Sequence, residues 1–135
     1  MARTPRSTTN FPNGLKSFLV DSRAVQKDAN YTVVITTDSG KQFITATDGI
    51  VFTLPSIAIG NTFTIMYTGL NGKAAINISP AALDGITYAG TQVDDKDLIL
   101  TKATAKTGDY VTLASLDGVI AWQVVAVRGI WTKEG

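Results

Sequence analysis

Two residue types that carry much of protein chemistry are missing from this 135-residue chain: it has no cysteine and no histidine. Without cysteine there can be no disulfide framework, no thiolate nucleophile and no Cys-ligated metal. Without histidine the chain loses the usual acid–base group near neutral pH and the commonest metal ligand. An enzyme would have to run on Asp, Lys, Tyr or Ser alone, so a non-enzymatic role is expected, with no cofactor. Charge is scarce as well, at 17% of residues and a net of +1, which supplies no global field for nucleic acid. No stretch approaches the ~20 apolar residues of a membrane span. Leu15 to Val20 is too short and interrupted for a signal-peptide core. These absences predict a soluble chain made in a cytoplasm, with neither nucleic acid nor membrane as a partner.

What is present is turn chemistry. Asn13-Gly14, Ser39-Gly40, Asp48-Gly49, Asn71-Gly72, Asp84-Gly85 and Asp117-Gly118 punctuate short runs of Thr, Val and Ile. Such pairs tolerate positive φ and mark tight hairpins. At this length one domain can bury a core without staples. The pattern predicts an all-β fold: a single antiparallel β-sandwich or jelly roll of eight or nine short strands. An N-terminal arm is expected over residues 1–29, the sandwich over 30–128 and a C-terminal tail over 129–135. The arm carries five basic against two acidic residues, a balance of +3, and the remainder seven against nine, a balance of −2.

The arm begins MARTPRSTTNFPNG, polar and interrupted by Pro5 and Pro12. Such an arm is disordered or docked on a neighbouring chain, and Phe11 with the Leu15–Val20 patch favours docking. Period-2 alternation then predicts strands from Tyr31 to Thr37, from Gln42 to Ala46, from Ile50 to Leu54 and from Thr62 to Tyr67. Further strands are expected from Ala74 to Ser79, at Ile86–Tyr88, and at Leu98–Thr101, Tyr110–Ala114 and Val119–Val127. Phe63, Ile65, Tyr67, Ala74, Ile76 and Ile78 fall on inward positions. The last run looks buried on both sides.

Residues that could carry chemistry have bland readings beside them. Asp94, Asp95 and Asp97, with Asp84, could hold a hard cation, but their spacing matches no EF-hand loop and a solvated rim is favoured. Lys102 and Lys106 read as guards of an exposed edge. Tyr31, Tyr67, Tyr88, Tyr110, Trp122 and Trp131 could line a sugar groove, though Tyr67 and Trp122 sit in core register. Trp131 lies past the last expected strand. It either folds back on the core or anchors a partner, and the second reading makes it a subunit contact. No Ser has an activating base, and no Gly-rich loop precedes a helix.

One ordered series adds a resemblance. Thr53-Leu54-Pro55, Gly60, Phe63-Thr64-Ile65, Ile76-Asn77-Ile78-Ser79, Asp84-Gly85-Ile86 and Gly90 lead to Gly108-Asp109-Tyr110-Val111-Thr112-Leu113, Asp117-Gly118 and Trp122-Gln123-Val124. Over roughly residues 31–127 this resembles a β-sandwich module of tailed-bacteriophage virions, in capsid decoration (cement) proteins and in some fibre and tail-spike domains. The resemblance implies a structural virion protein on the outer capsid surface, with the major capsid protein and two further copies of itself as partners. Arg3, Arg6, Phe11 and Leu15 are then the expected capsid contacts. The alternative is a tail-fibre or adaptor domain that binds a host glycan. A polysaccharide-cleaving enzyme would need two carboxylates about 5–9 Å apart, and only Asp84 with Asp94–Asp97 could offer them.

Overall fold

The computed structural model describes residues 24–90, 95–116 and 121–134. Among them are eleven strands: β1 (Ala24–Gln26), β2 (Tyr31–Thr32), β3 (Gln42–Thr45), β4 (Ile50–Thr53), β5 (Thr62–Tyr67), β6 (Ile76–Ser79), β7 (Gly85–Thr87), β8 (Leu98–Leu100), β9 (Tyr110–Ala114), β10 (Ala121–Arg128) and β11 (Trp131–Lys133). A single turn of helix, α1 (Ile35–Asp38), follows β2. Six strands form one sheet in the order β1-β3-β5-β9-β10-β7, and five form the other in the order β11-β8-β6-β4-β2. The β-sandwich expected from the turn spacing is therefore present. It begins inside the segment read as an arm and ends at Lys133, beyond the expected boundary at 128.

The antiparallel expectation is corrected. Consecutive strands alternate between the two sheets, except β9 and β10, which are sheet neighbours. As a result β1-β3-β5 and β2-β4-β6 run parallel within their sheets. From β1 to β6 the chain winds as a flat coil, each rung giving one strand to each sheet. Ser39-Gly40 and Asp48-Gly49 have the positive glycine φ expected of them, at 85° and 77°. They do not close hairpins, however, and Asp48-Gly49 carries the chain from β3 across to β4. Local turn chemistry fixes a reversal, but not whether the next strand lies beside the last one or opposite it.

Stacking of rungs explains the core. Inward residues fall in register from strand to strand: Ile50, Ile76, Leu100 and Trp131 form one row of the smaller sheet, and Phe52, Ile78 and Leu98 the next. In the larger sheet Phe43, Ile65 and Val111 form the matching row. All but Trp131, at 4% exposure, are essentially inaccessible to solvent. Phe63, Ile65, Tyr67, Ala74, Ile76 and Ile78 are buried as their alternation predicts. Trp122 packs against Phe63 with ring centroids 5.2 Å apart, and its indole N–H donates to the Pro55 carbonyl at 3.2 Å.

Two sequence expectations fail locally. The strand read from Tyr31 to Thr37 stops at Thr32, and the chain turns into α1. Asp38 is the cause. Its buried carboxylate accepts from the Tyr31 hydroxyl at 2.6 Å and the Val34 N–H at 2.8 Å, and it pairs with Lys41 at 3.3 Å. An extended 34–37 segment would leave these groups apart. The Lys27 ammonium sits 3.6 Å from the Tyr31 ring centroid, a cation–π contact that covers the outer face of the cluster. The second failure is β10, which is buried at Ala121 and Trp122 but exposed from Val125 to Arg128.

The Asp38 cluster predicts both a stability loss and its pH dependence. Burial alone would raise the Asp38 carboxyl, but hydrogen bonds from Tyr31, Val34 and Lys41 outweigh it and hold the group below its ordinary value. Tyr31 is pushed up to about 12, first by its hydrogen bond to Asp38 and then by burial. The Asp38 contribution is therefore present above pH ~4 and lost as pH falls through the depressed folded value; the Tyr31 contribution is present below pH ~10 and lost as pH climbs toward 12. Asp38→Asn should cost about 1–3 kcal/mol in urea unfolding at pH 7. It should also flatten both limbs of the melting temperature against pH. Unchanged limbs would show that Asp38 does not hold this corner.

Candidate functional site: the outer half of strand β10

Strand β10 has different neighbours along its length. On one side β9 pairs with it from Gln123 to Arg128, with a bulge between Val124 and Ala126. On the other side β7 pairs only with Ala121, Trp122 and Gln123. Among the described residues, no strand continues beyond β7 along Val124–Arg128. The outer side of this half is thus, among the described residues, an open sheet edge, with a row of backbone donors and acceptors available for pairing.

The side chains here are apolar. Val125 is 51% exposed, Val127 39% and Ile130 60%, three large hydrophobic residues within a six-residue stretch. Val127 stands in register with the buried Val111, so it continues an inward row at the point where the two sheets no longer cover it. The other large exposed apolar residues, Val34, Ile59, Leu70, Leu83 and Leu116, lie on separate connections. Those of Ile59 and Leu116 are joined by hydrogen bonds, from the Gly60 N–H to the Ser115 carbonyl and from the Ser115 N–H to the Asn61 carbonyl. Single exposed apolar residues are ordinary; a group on an unpaired edge is the pattern of an association surface.

The corner that ends β10 is closely packed. Gly129 has φ of +97°, and a Cβ there would lie inside contact distance of the Asp109 carboxylate. Asp109 is buried and accepts from the Lys106 N–H at 2.9 Å. Gly129 thus admits the chain past Asp109 and turns it into β11.

Trp131 is the consequence of that turn, and its expected role is corrected. The residue is not past the last strand: it opens β11, pairs in register with Leu100 and is buried in its own chain's core. Its indole N–H donates to the Arg128 carbonyl at 3.0 Å. Once Gly129 reverses the chain, the indole covers the end of the Ile50–Ile76–Leu100 row, so the folded-back alternative holds. Arg3, Arg6, Phe11 and Leu15 lie outside the described residues.

The remaining candidates separate in space or find partners. Asp84 accepts from the Ile57 N–H at 3.1 Å, and Asp97 accepts from the Asn77 amide at 3.3 Å. Asp95 donates its N–H to the Asp84 carbonyl, and Asp94 is outside the described residues. No group of three potential metal-ligating side chains occurs among the described residues. Lys102 pairs with Asp48 at 2.8 Å, and this hydrogen bond is the main cause of an Asp48 carboxyl held below its ordinary value. Lys106 is exposed. Lys133 donates to the Lys96 carbonyl at 3.0 Å, and loss of solvent lowers its ammonium against the opposing pull of Asp97 and Glu134. Of the six aromatics considered for a sugar platform, Tyr67, Trp122 and Trp131 are buried. Among the described residues, no helix is long and apolar enough to cross a membrane.

Sequence reasoning missed the β10 edge because Val124-Val125-Ala126-Val127 reads as interior strand. The available signal was the Arg128-Gly129-Ile130 sequence that follows, which places a charge, a turn and an apolar residue at the strand's end.

Trp131→Ala should destabilise the monomeric fold by about 3–5 kcal/mol, as for other buried aromatic truncations. A guanidinium unfolding curve matching the unsubstituted chain's would return Trp131 to the role of an exposed anchor.

No protein-family model matches this chain, and a search of curated proteins returns no match.

Proposed function

We propose that this chain is a structural virion protein that decorates a bacteriophage capsid. In this role three copies bridge neighbouring major capsid subunits on the outer surface and stabilise the shell. The observation that carries the reading is the apolar half-edge of β10, which no described strand pairs beyond β7, because exposed valines beside such an edge suit it to assembly. The resemblance over residues 31–127 supplies the assembly in question. A ligand that binds only the assembled shell shifts the equilibrium toward it by mass action, without chemistry. Arg3, Arg6, Phe11 and Leu15 are the proposed capsid contacts. The +3 arm suits an acidic patch on the capsid exterior.

A second reading is favoured by the coil of parallel rungs from β1 to β6. The first rung, β1 with β2, ends both sheets on one side. Further rungs could stack there, as in a β-solenoid, and this suits a domain of a tail fibre or adaptor.

Copy number separates the two. Quantitative mass spectrometry of purified virions should give a ratio near one copy per major capsid subunit. A handful of copies per particle would move the chain to the tail, and none would discard both readings. Deletion of residues 1–15 should abolish decoration of capsids that lack the protein, while leaving the thermal melt of the body unchanged.

A further inference from the structure

We infer that the open half-edge of β10 is a docking groove for the segment Lys16–Val20 of a second copy of this chain, which adds to the six-stranded sheet as an exchanged strand. The inference rests on the β10 edge and on chain reach, and it stands whether the assembled copies sit on a capsid or elsewhere.

The groove has a defined length and character. It spans Val124–Arg128, five residues whose outer side no described strand pairs beyond β7. Val125, Val127 and Ile130 are exposed around it. Strand addition supplies what both features lack: backbone partners for the edge and apolar cover for the side chains. The segment that fits is in the sequence. Lys16-Ser17-Phe18-Leu19-Val20 is five residues long and puts Phe18 and Val20 on the same side of a strand. It belongs to the apolar patch of the N-terminal 23 residues.

Reach decides which copy supplies it. The described chain starts at Ala24 in β1, at the far edge of the sheet from β10. The position outside β10 is five strand spacings away, about 24 Å at ~4.8 Å each. From Val20 to Ala24 there are four residue steps, at most about 14 Å of extended chain. The segment therefore cannot lie along the β10 of its own chain, but a neighbour can present its own. Because β1 ends the sheet order on one side and the outer side of β10 faces the other, toward β7, the contact is head-to-tail. Such a contact makes a ring when its rotation closes.

The absence of cysteine makes a clean test possible in the full chain. Phe18→Cys and Ala126→Cys mark the centres of segment and groove, so they approach whether the added strand runs parallel or antiparallel. The two variants, carried on chains of different mass, are mixed and oxidised. A disulfide-linked heterodimer is expected, well in excess of either homodimer. In sedimentation velocity the unsubstituted chain should associate at tens of micromolar. Deletion of residues 1–20, or Val127→Lys with an unchanged far-UV spectrum and melt, should each yield monomer. Failure of the heterodimer to form would overturn the inference, as would an intramolecular bridge in the doubly substituted chain. So would an oligomer that survives deletion of residues 1–20, since the groove would then be occupied by a body and not an arm. Loss of capsid binding with this association intact would instead count against decoration alone.

Discussion

Register between stacked rungs is the constraint on which the rest of this structure depends. Ile50, Ile76, Leu100 and Trp131 come from four strands and lie side by side only because β4, β6, β8 and β11 pair in one particular alignment. A shift of one residue would turn each row outward, since neighbouring strand residues face opposite sides. Burial of the rows holds the two sheets together, and it also holds the topology. A strand that left its sheet would remove one residue from every row it joins. The parallel coil of β1 to β6 survives in a chain without long crossover helices because each strand is followed by its partner on the opposite face.

Polar groups complete this frame where it turns. Asp38 gathers Tyr31, Val34 and Lys41 at the corner after β2, and Asp109 lies beneath the corner after β10. Both carboxylates are buried, and such groups are tolerated in an interior only where hydrogen bonds replace lost water. Each fixes the direction in which the chain leaves one sheet. The second corner brings Trp131 over the end of a core row while leaving Val127 and Ile130 uncovered. One turn thus closes the core and creates the apolar edge.

That edge gives the functional reading its physical content. A sandwich with scattered apolar surface would make no particular case for assembly. Here Val127 continues an inward row where the opposing sheet no longer covers it, beside backbone that no described strand pairs, and both ask for the same remedy. Decoration of a shell and docking of a neighbour's arm are two levels of one reading, the first about what the assembly is for and the second about how copies meet. They are tested separately because association in solution needs no capsid.

The all-β character, the strand positions and the inward faces were legible in the residues. Alternation from Phe63 to Tyr67 and from Ala74 to Ile78 states which side chains go inside, because a strand's period is local. The absence of histidine and cysteine likewise bounded the chemistry. Strand order was not legible: Asp48-Gly49 serves a hairpin or an arc between sheets equally well, and the choice depends on contacts made by residues far along the chain. Trp131 and Val127 show the same division for the site. Both are apolar residues near the C-terminus, and composition ranks the tryptophan as the better anchor. Only the turn at Gly129, packed on Asp109 from a distant loop, decides that the tryptophan is buried and the valine exposed.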